Sequence, residues 1–201
     1  MAKEFNVLIT GVGGQGVILV SELLGEAAVK DDFNVRGSEA LGMAVRGGPV
    51  VSTLRIGSEV YGPLIPMGKC HLLIGIEPAE ALRHISYLSP SSLVILNLRE
   101  IVPFTVFQGK SNYPTLDKIL EKLNKISRQT IRIDAACLAE EAGNSITINM
   151  VMLGAAFGSG QVPVKLETIK AVIQSHFSVK IAPMNIKAFD LGYHTCQQAL
   201  K

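Results

Sequence analysis

The sequence predicts an α/β fold of three layers, with a mostly parallel sheet and a helical C-terminal third. Two observations carry that reading. As far as about Asp134, short β-rich runs alternate with helical stretches, the pattern of strands joined by crossover helices. Beyond Asp134 the apolar residues recur every three or four positions instead, the period of a helix. A chain of 201 residues suits one domain over 1–201 and can bury a sizeable core without disulfides or metal.

The elements follow in order. Phe5-Asn6-Val7-Leu8-Ile9-Thr10 reads as a first strand. A glycine-rich turn comes next, then a helix to about Lys30 whose inner face offers Val20, Leu24 and Ala27 or Ala28. Asn34-Val35-Arg36 leads into a second strand, Val50 to Ile56 is a third, and His71 to Gly75 a fourth. Ser92 to Asn97 is a continuous apolar run, as in strands buried on both faces. Between those two, Pro78 suits the first turn of a helix that ends before Pro90. Thr130 to Asp134 alternates and supplies a late strand. Further on, Leu166, Ile169, Ile173 and His176 or Phe177 mark one buried helix face. Ile186, Phe189, Tyr193, Cys196 and Leu200 mark another, which docks on the chain's own domain or forms a subunit contact. The Ala/Gly-rich segment from Met150 to Gly160 permits close backbone approach, to another helix or to another subunit.

Composition narrows the function. Lys+Arg number 19 against 17 Asp+Glu, a net charge of +2, so no basic surplus exists to neutralise a nucleic acid. The longest nearly uncharged apolar stretch, Ile146 to Gly158, falls short of the roughly 20 residues a membrane-spanning helix needs. The N-terminus runs straight into a strand without a secretory apolar region, so a cytoplasmic location is expected. Cys70, Cys137 and Cys196 lie far apart with no C-x-x-C pair, and make neither a disulfide framework nor a zinc or iron–sulfur ligand set. His71, His84, His176 and His194 are scattered, with no i,i+4 pair and no carboxylate constellation. No catalytic residue and no metal site is therefore assigned to this chain.

The strongest local signal is Gly11-Val12-Gly13-Gly14-Gln15-Gly16, a G-x-G-x-x-G run placed between a strand and a helix. In a Rossmann-like fold the first glycine allows a tight turn, the second admits a phosphate to the backbone, and the third packs helix on strand. The helix start offers unpaired N–H groups to an anion. Glu39 stands roughly where a dinucleotide-binding fold places its ribose-holding acid. Ser38 to Val50 then reads as a loop with one acid, one guanidinium and three glycines. A stand-alone NAD(P)-dependent dehydrogenase and a non-enzymatic nucleotide-binding or assembly module are both compatible with these residues.

Taken together the motifs resemble a known family. The Gly11–Gly16 loop, followed in order by Ser38-Glu39, Gly42-Met43, Arg46-Gly47-Gly48, Val50-Val51-Ser52 and Arg55-Ile56-Gly57, is similar to the gamma subunit or domain of 2-oxoacid:ferredoxin oxidoreductases. Within that family it is most similar to the beta subunit of indolepyruvate ferredoxin oxidoreductase. Asn149 to Gly154, Asn185 to Phe189 and Gly192-Tyr193 extend the resemblance across nearly the whole chain. It implies a subunit, inactive alone, of a complex that oxidatively decarboxylates a 2-oxoacid to an acyl-CoA and reduces ferredoxin. Thiamine diphosphate, magnesium and iron–sulfur clusters are then expected on partner subunits, with CoA as co-substrate and no cofactor tightly held by this chain. It further implies that Gly11, Gly13, Gly14, Gln15 and Gly16 form a cofactor-binding turn. Glu39, Gly42, Met43, Arg46, Gly47 and Gly48 would line the substrate or CoA end, with Arg46 clamping phosphate or carboxylate and Glu39 orienting it. Leu41 and Val45 stand where the indolepyruvate branch commonly carries His and Gln, and Pro49 follows the glycine pair, so the loop's hydrogen bonding differs.

The composition fits a subunit. Apolar residues make up 48% of the chain, but charged ones only 18% where about 25% is typical, and the mean hydropathy is +0.33. Obligate interfaces need fewer charges. The isolated chain is thus expected to expose apolar patches or to self-associate as a homo-oligomer.

Overall fold

The structure, a computed structural model, describes residues 2–42 and 47–201. Met43 and Arg46, both named above, lie outside the described residues, as does Val45. Six strands form one sheet in the order β2-β3-β1-β4-β5-β6. They are β1 (Phe5–Val12), β2 (Asn34–Leu41), β3 (Pro49–Gly57), β4 (Leu72–Gly75), β5 (Leu93–Asn97) and β6 (Gln129–Ile133). β1, β4, β5 and β6 run parallel to one another, while β3 pairs antiparallel with both β1 and β2.

The antiparallel half corrects the reading of Ser38 to Val50 as loop. β2 continues to Leu41 and β3 begins at Pro49, so the connection is only 42–48. A link that short joins antiparallel strands, whereas parallel neighbours need a crossover. β2 consequently reaches the sheet through β3 and becomes its outer edge, exposed along most of its length.

Period-2 alternation then builds the layers. From β4, Leu72 and Ile74 face one side with α1 (Val17–Lys30), α5 (Ala135–Ala142), α6 (Ile148–Gly158), α7 (Leu166–His176) and α8 (Ala182–Ala199). Leu73 faces the other with α2 (Pro78–Arg83) and α4 (Leu116–Ile126). β4 and β5 are buried throughout, as their unbroken apolar runs require. α3 (Phe104–Phe107) is a single turn after β5. The amphipathic α4, which buries Ile119 and Leu123, was not singled out in the sequence.

The Ala/Gly-rich segment meets another helix, α8 of the same chain. A Cβ on Gly154 would lie 2.7 Å from the Phe189 carbonyl carbon, and one on Gly192 2.7 Å from that of Val151. The two backbones touch, which only glycine permits. Phe189 and Cys196 are fully buried in this contact, Ile186 and Tyr193 partly, and Leu200 is exposed. Burial of each large side chain contributes about 1.5–3 kcal/mol.

Large exposed apolar side chains concentrate in two places. Tyr61, Leu64 and Met67 share the loop that precedes β4, and Leu41, Phe104, Phe107 and Ile146 rim the carboxyl end of the parallel strands.

Candidate functional site

β1 ends at Val12, so Gly11 is a strand residue rather than the turn itself. Its lack of a side chain makes room: a Cβ there would meet Gln15 Oε1 at 2.7 Å and Val17 Cγ2 at 2.9 Å. Gln15 folds back into that space. Its Oε1 accepts the Val12 N–H at 2.8 Å and its Nε2 donates to the Ile76 carbonyl at 3.3 Å. The glutamine thus braces the turn and ties it to the end of β4. Gly14 (φ 96°) and Gly16 (φ 77°) occupy left-handed backbone that costs other residues about 1–2 kcal/mol. Gly16 also lies under Asn149 at the start of α6, whose Cγ would sit 3.0 Å from a Cβ. The third glycine therefore packs helix against helix.

The fold brings the two sequence motifs together. The Gly13 N–H donates to the Gly48 carbonyl at 2.8 Å, and the Gly47 N–H donates back to the Gly13 carbonyl at 3.2 Å. Gly42 N–H donates to Pro49 O at 2.8 Å and closes the hairpin at its base. Gly47 is left-handed as well, at φ 71°. The second glycine's polar groups are thereby spent on the hairpin connection rather than left open for a phosphate. Both motifs stand at the carboxyl end of the parallel strands, where open α/β sheets bind ligands.

Glu39 is placed differently from a dinucleotide-binding acid. It is exposed on β2 opposite Ser52, and β3 lies between β2 and β1. Two strand spacings amount to about 10 Å, too far for it to hold a ribose bound at the β1 turn. The dehydrogenase reading loses the residue it requires.

Further groups border this end of the sheet. Glu77 follows β4, is 1% exposed, and caps α2 by accepting the Glu80 N–H at 2.8 Å. Its other oxygen accepts from the Ile101 N–H at 3.3 Å and from the Tyr113 hydroxyl. Burial and this carboxylate both push the Tyr113 phenol well above its ordinary value. Glu80 is 5% exposed; its Oε1 accepts from Arg83 Nε at 3.0 Å, while its Oε2 meets no donor among the described residues. Burial raises the Glu80 carboxyl against the pull of Arg83. Nothing in the sequence reading marked these residues, although an acid directly before Pro78 is the signature of a capped helix start.

Several clefts open here among the described residues. A groove of about 680 Å³, largely apolar, runs between the glycine turn and the hairpin past Ile18, Leu19, Leu41 and Val50. A pocket of about 240 Å³ lies between Gly47, Glu80, Arg83 and Tyr113. A third, of about 380 Å³, separates Gly14 and Gln15 from Arg99 and the start of α6.

Residues 6–195 match the family described as pyruvate ferredoxin/flavodoxin oxidoreductase. The indolepyruvate oxidoreductase subunit IorB of Pyrococcus horikoshii is 41% identical over 199 residues, covering 98% of each chain. The gamma subunit of a keto/oxoacid ferredoxin oxidoreductase from Geobacter sulfurreducens superposes with a TM-score of 0.69 at 22% identity, over 96% of this chain and 99% of that one. The 2-oxoglutarate:ferredoxin oxidoreductase of Magnetococcus marinus, solved with 2-oxoglutarate, coenzyme A and succinyl-CoA, gives 0.73 at 18% identity. That match takes in 98% of this chain but 32% of the other.

Proposed function

Since the chain belongs to the pyruvate ferredoxin/flavodoxin oxidoreductase family, we propose that it is the gamma-type subunit of a 2-oxoacid:ferredoxin oxidoreductase complex, one domain that is inactive alone. In this reading its partners are the catalytic subunits, which carry thiamine diphosphate, magnesium and the iron–sulfur clusters. Those groups supply decarboxylation and electron transfer to ferredoxin when bound. The complex works in the cytoplasm, in keeping with the fact that no described helix is long and apolar enough to cross a membrane. The apolar rim of Leu41, Phe104, Phe107 and Ile146 suits a subunit whose isolated form self-associates.

One observation carries the site: the glycine turn and the hairpin connection are hydrogen-bonded to each other at the ligand-binding end of the sheet. This chain's residues would bind and orient. Gly11 and Gln15 shape the turn, and Gly13, Gly14 and Gly16 set its path. Gly42, Gly47 and Gly48 hold the connection that bears Met43 and Arg46. Arg46 would take a phosphate of CoA or the carboxylate of the 2-oxoacid, with Glu39 setting its orientation. The kinship to an indolepyruvate oxidoreductase subunit makes an aromatic 2-oxoacid the substrate to try first.

Arg46→Ala in the assembled complex tests this. Loss of a charge-assisted contact, about 1.5–3 kcal/mol, lowers kcat/KM tenfold or more while the complex stays intact on gel filtration. Unchanged kinetics would remove Arg46 from the site. A chain that co-purifies without an iron-containing, thiamine-diphosphate-retaining partner would remove the whole reading.

A further inference from the structure

β2 is the sheet's outer strand, and no strand among the described residues pairs with its far side. The phase of its ladder shows which groups are left over. Gly42 N–H donates to the Pro49 carbonyl at 2.8 Å, so the even-numbered residues of β2 turn their peptide groups toward β3. Val35, Gly37, Glu39 and Leu41 therefore turn theirs outward. The Val35 carbonyl agrees, since it accepts from the exposed Arg36 side chain at 2.9 Å. Proteins blunt such an edge with a very short strand, a bulge, a proline or a lysine. β2 has none of these: its register with β3 is unbroken over all eight residues, and neither Pro nor Lys occurs in Asn34–Leu41.

The strand is also complementary to itself. Two copies related by a two-fold axis at Ser38 pair antiparallel, with Val35 opposite Leu41, Arg36 opposite Ala40, Gly37 opposite Glu39 and Ser38 opposite its own copy. All four outward residues then fall in hydrogen-bonded pairs. The apolar pair forms on the α1 side of the sheet. There Val35 packs on the core, and Leu41, 61% exposed, walls the apolar groove with Ile18, Leu19 and Val50. No like charges stand directly opposite each other. The neighbouring registers lose these features. Centred on Glu39, the pairing sets two carboxylates face to face; centred on Gly37, it sets Glu39 against Val35 and carries Leu41 past the end of the strand.

We infer that β2 is a homotypic interface: it pairs antiparallel with β2 of a second copy about Ser38, and joins two six-stranded sheets into one. The inference gives a definite face to the self-association proposed above, on which it rests, and draws on none of the chemistry assigned to the complex.

The test is sedimentation velocity on the full-length chain, with oxidative cross-linking to read the register. The parent should be a dimer. Gly37→Pro deletes an outward N–H, puts a ring on the edge and leaves the ladder to β3 intact. The dimer should then dissociate at least tenfold more readily, with an unchanged circular dichroism spectrum. For the register, the exposed Cys137 is first replaced by Ser. Ser38→Cys then places two thiols on a non-hydrogen-bonded pair with Cα atoms about 4.5 Å apart, within disulfide reach, and should give a covalent dimer. Arg36→Cys, whose two copies lie about 13 Å apart or more, should not. Equal cross-linking at both positions would reflect collision and overturn the pairing. A dimer that survives Gly37→Pro and does not cross-link through position 38 would put the contact on another face and overturn it as well. So would a monomeric parent, and exchange protection of the β2 amides gained only in the complex would then assign the edge to a strand of a partner subunit. Each of these failures leaves the Arg46→Ala kinetics to decide the proposed role in the complex.

Discussion

Gly192→Ala is the sharpest test of the architecture that holds α6 in place. In a helix interior this change ordinarily stabilises by up to about 1 kcal/mol. Here the new Cβ would sit 2.7 Å from the Val151 carbonyl carbon and 3.0 Å from its Cα. Carbon atoms pack best at about 3.5–4.0 Å, so α6 and α8 must part by roughly 1 Å. A gap of that size forfeits about a quarter to a half of each dispersion contact across it. The side chains affected include Phe189, Met150, Val151, Ala188 and Cys196, all fully buried. Overpacking typically costs about 1–3 kcal/mol and more where backbone must move. With about 3–4 kcal/mol lost and about 1 recovered from helix propensity, a net loss of about 2–3 kcal/mol is expected. Gly62→Ala is the control, since a Cβ there meets nothing within 4 Å and needs no left-handed backbone; it should be neutral or stabilise by up to about 1 kcal/mol. Urea denaturation at constant m value reads both. A Gly192→Ala midpoint within about 0.5 kcal/mol of the parent would refute the close crossing.

Two further outcomes follow from polar contacts elsewhere in the fold. His71 Nδ1 accepts the Asn6 N–H at 2.9 Å, and burial holds its imidazole below the ordinary value despite the pull of Glu4. A histidine with a lowered folded value contributes stability above the unfolded value, about 6.5, and loses it as pH falls toward the folded one. Denaturation midpoints should thus drop between pH 7 and pH 5.5, and an NMR titration placing His71 at or above 6.5 would contradict this. Tyr113→Phe removes one of the two donors on Glu77 Oε1 and leaves the Ile101 N–H at 3.3 Å. It should destabilise by about 1–3 kcal/mol and speed hydrogen exchange at Ile101, and unaltered exchange there would show that the hydroxyl does not hold the 101–114 segment.

The class of fold could be read along the chain because period and punctuation are local. The run Phe5–Thr10, the glycines after it and the helix to Lys30 specify β1, the turn and α1 within thirty residues. Leu166, Ile169 and Ile173 specified α7 in the same way. The family, too, was legible in two ordered motifs. α4 was missed because its buried face is only Ile119 and Leu123 amid charged residues.

What tertiary structure alone decided was which of these local pieces meet. The order β2-β3-β1 follows from a short hairpin connection, and it moved Glu39 away from the turn that its sequence spacing appointed it to serve. The Gly13–Gly47 and Gly13–Gly48 bonds, the Tyr113–Glu77 contact 36 positions apart, and Asn149 against Gly16 join residues with no shared period. Such pairings are selected by the global burial of polar groups that must find partners, and no window on the sequence contains both ends of them. The sequence alone determined that a sheet would present a glycine turn at its carboxyl end. Only the packing of α6 against α8 determined that Asn149 would lie over the last glycine of that turn, because the crossing fixes where the first turn of α6 sits.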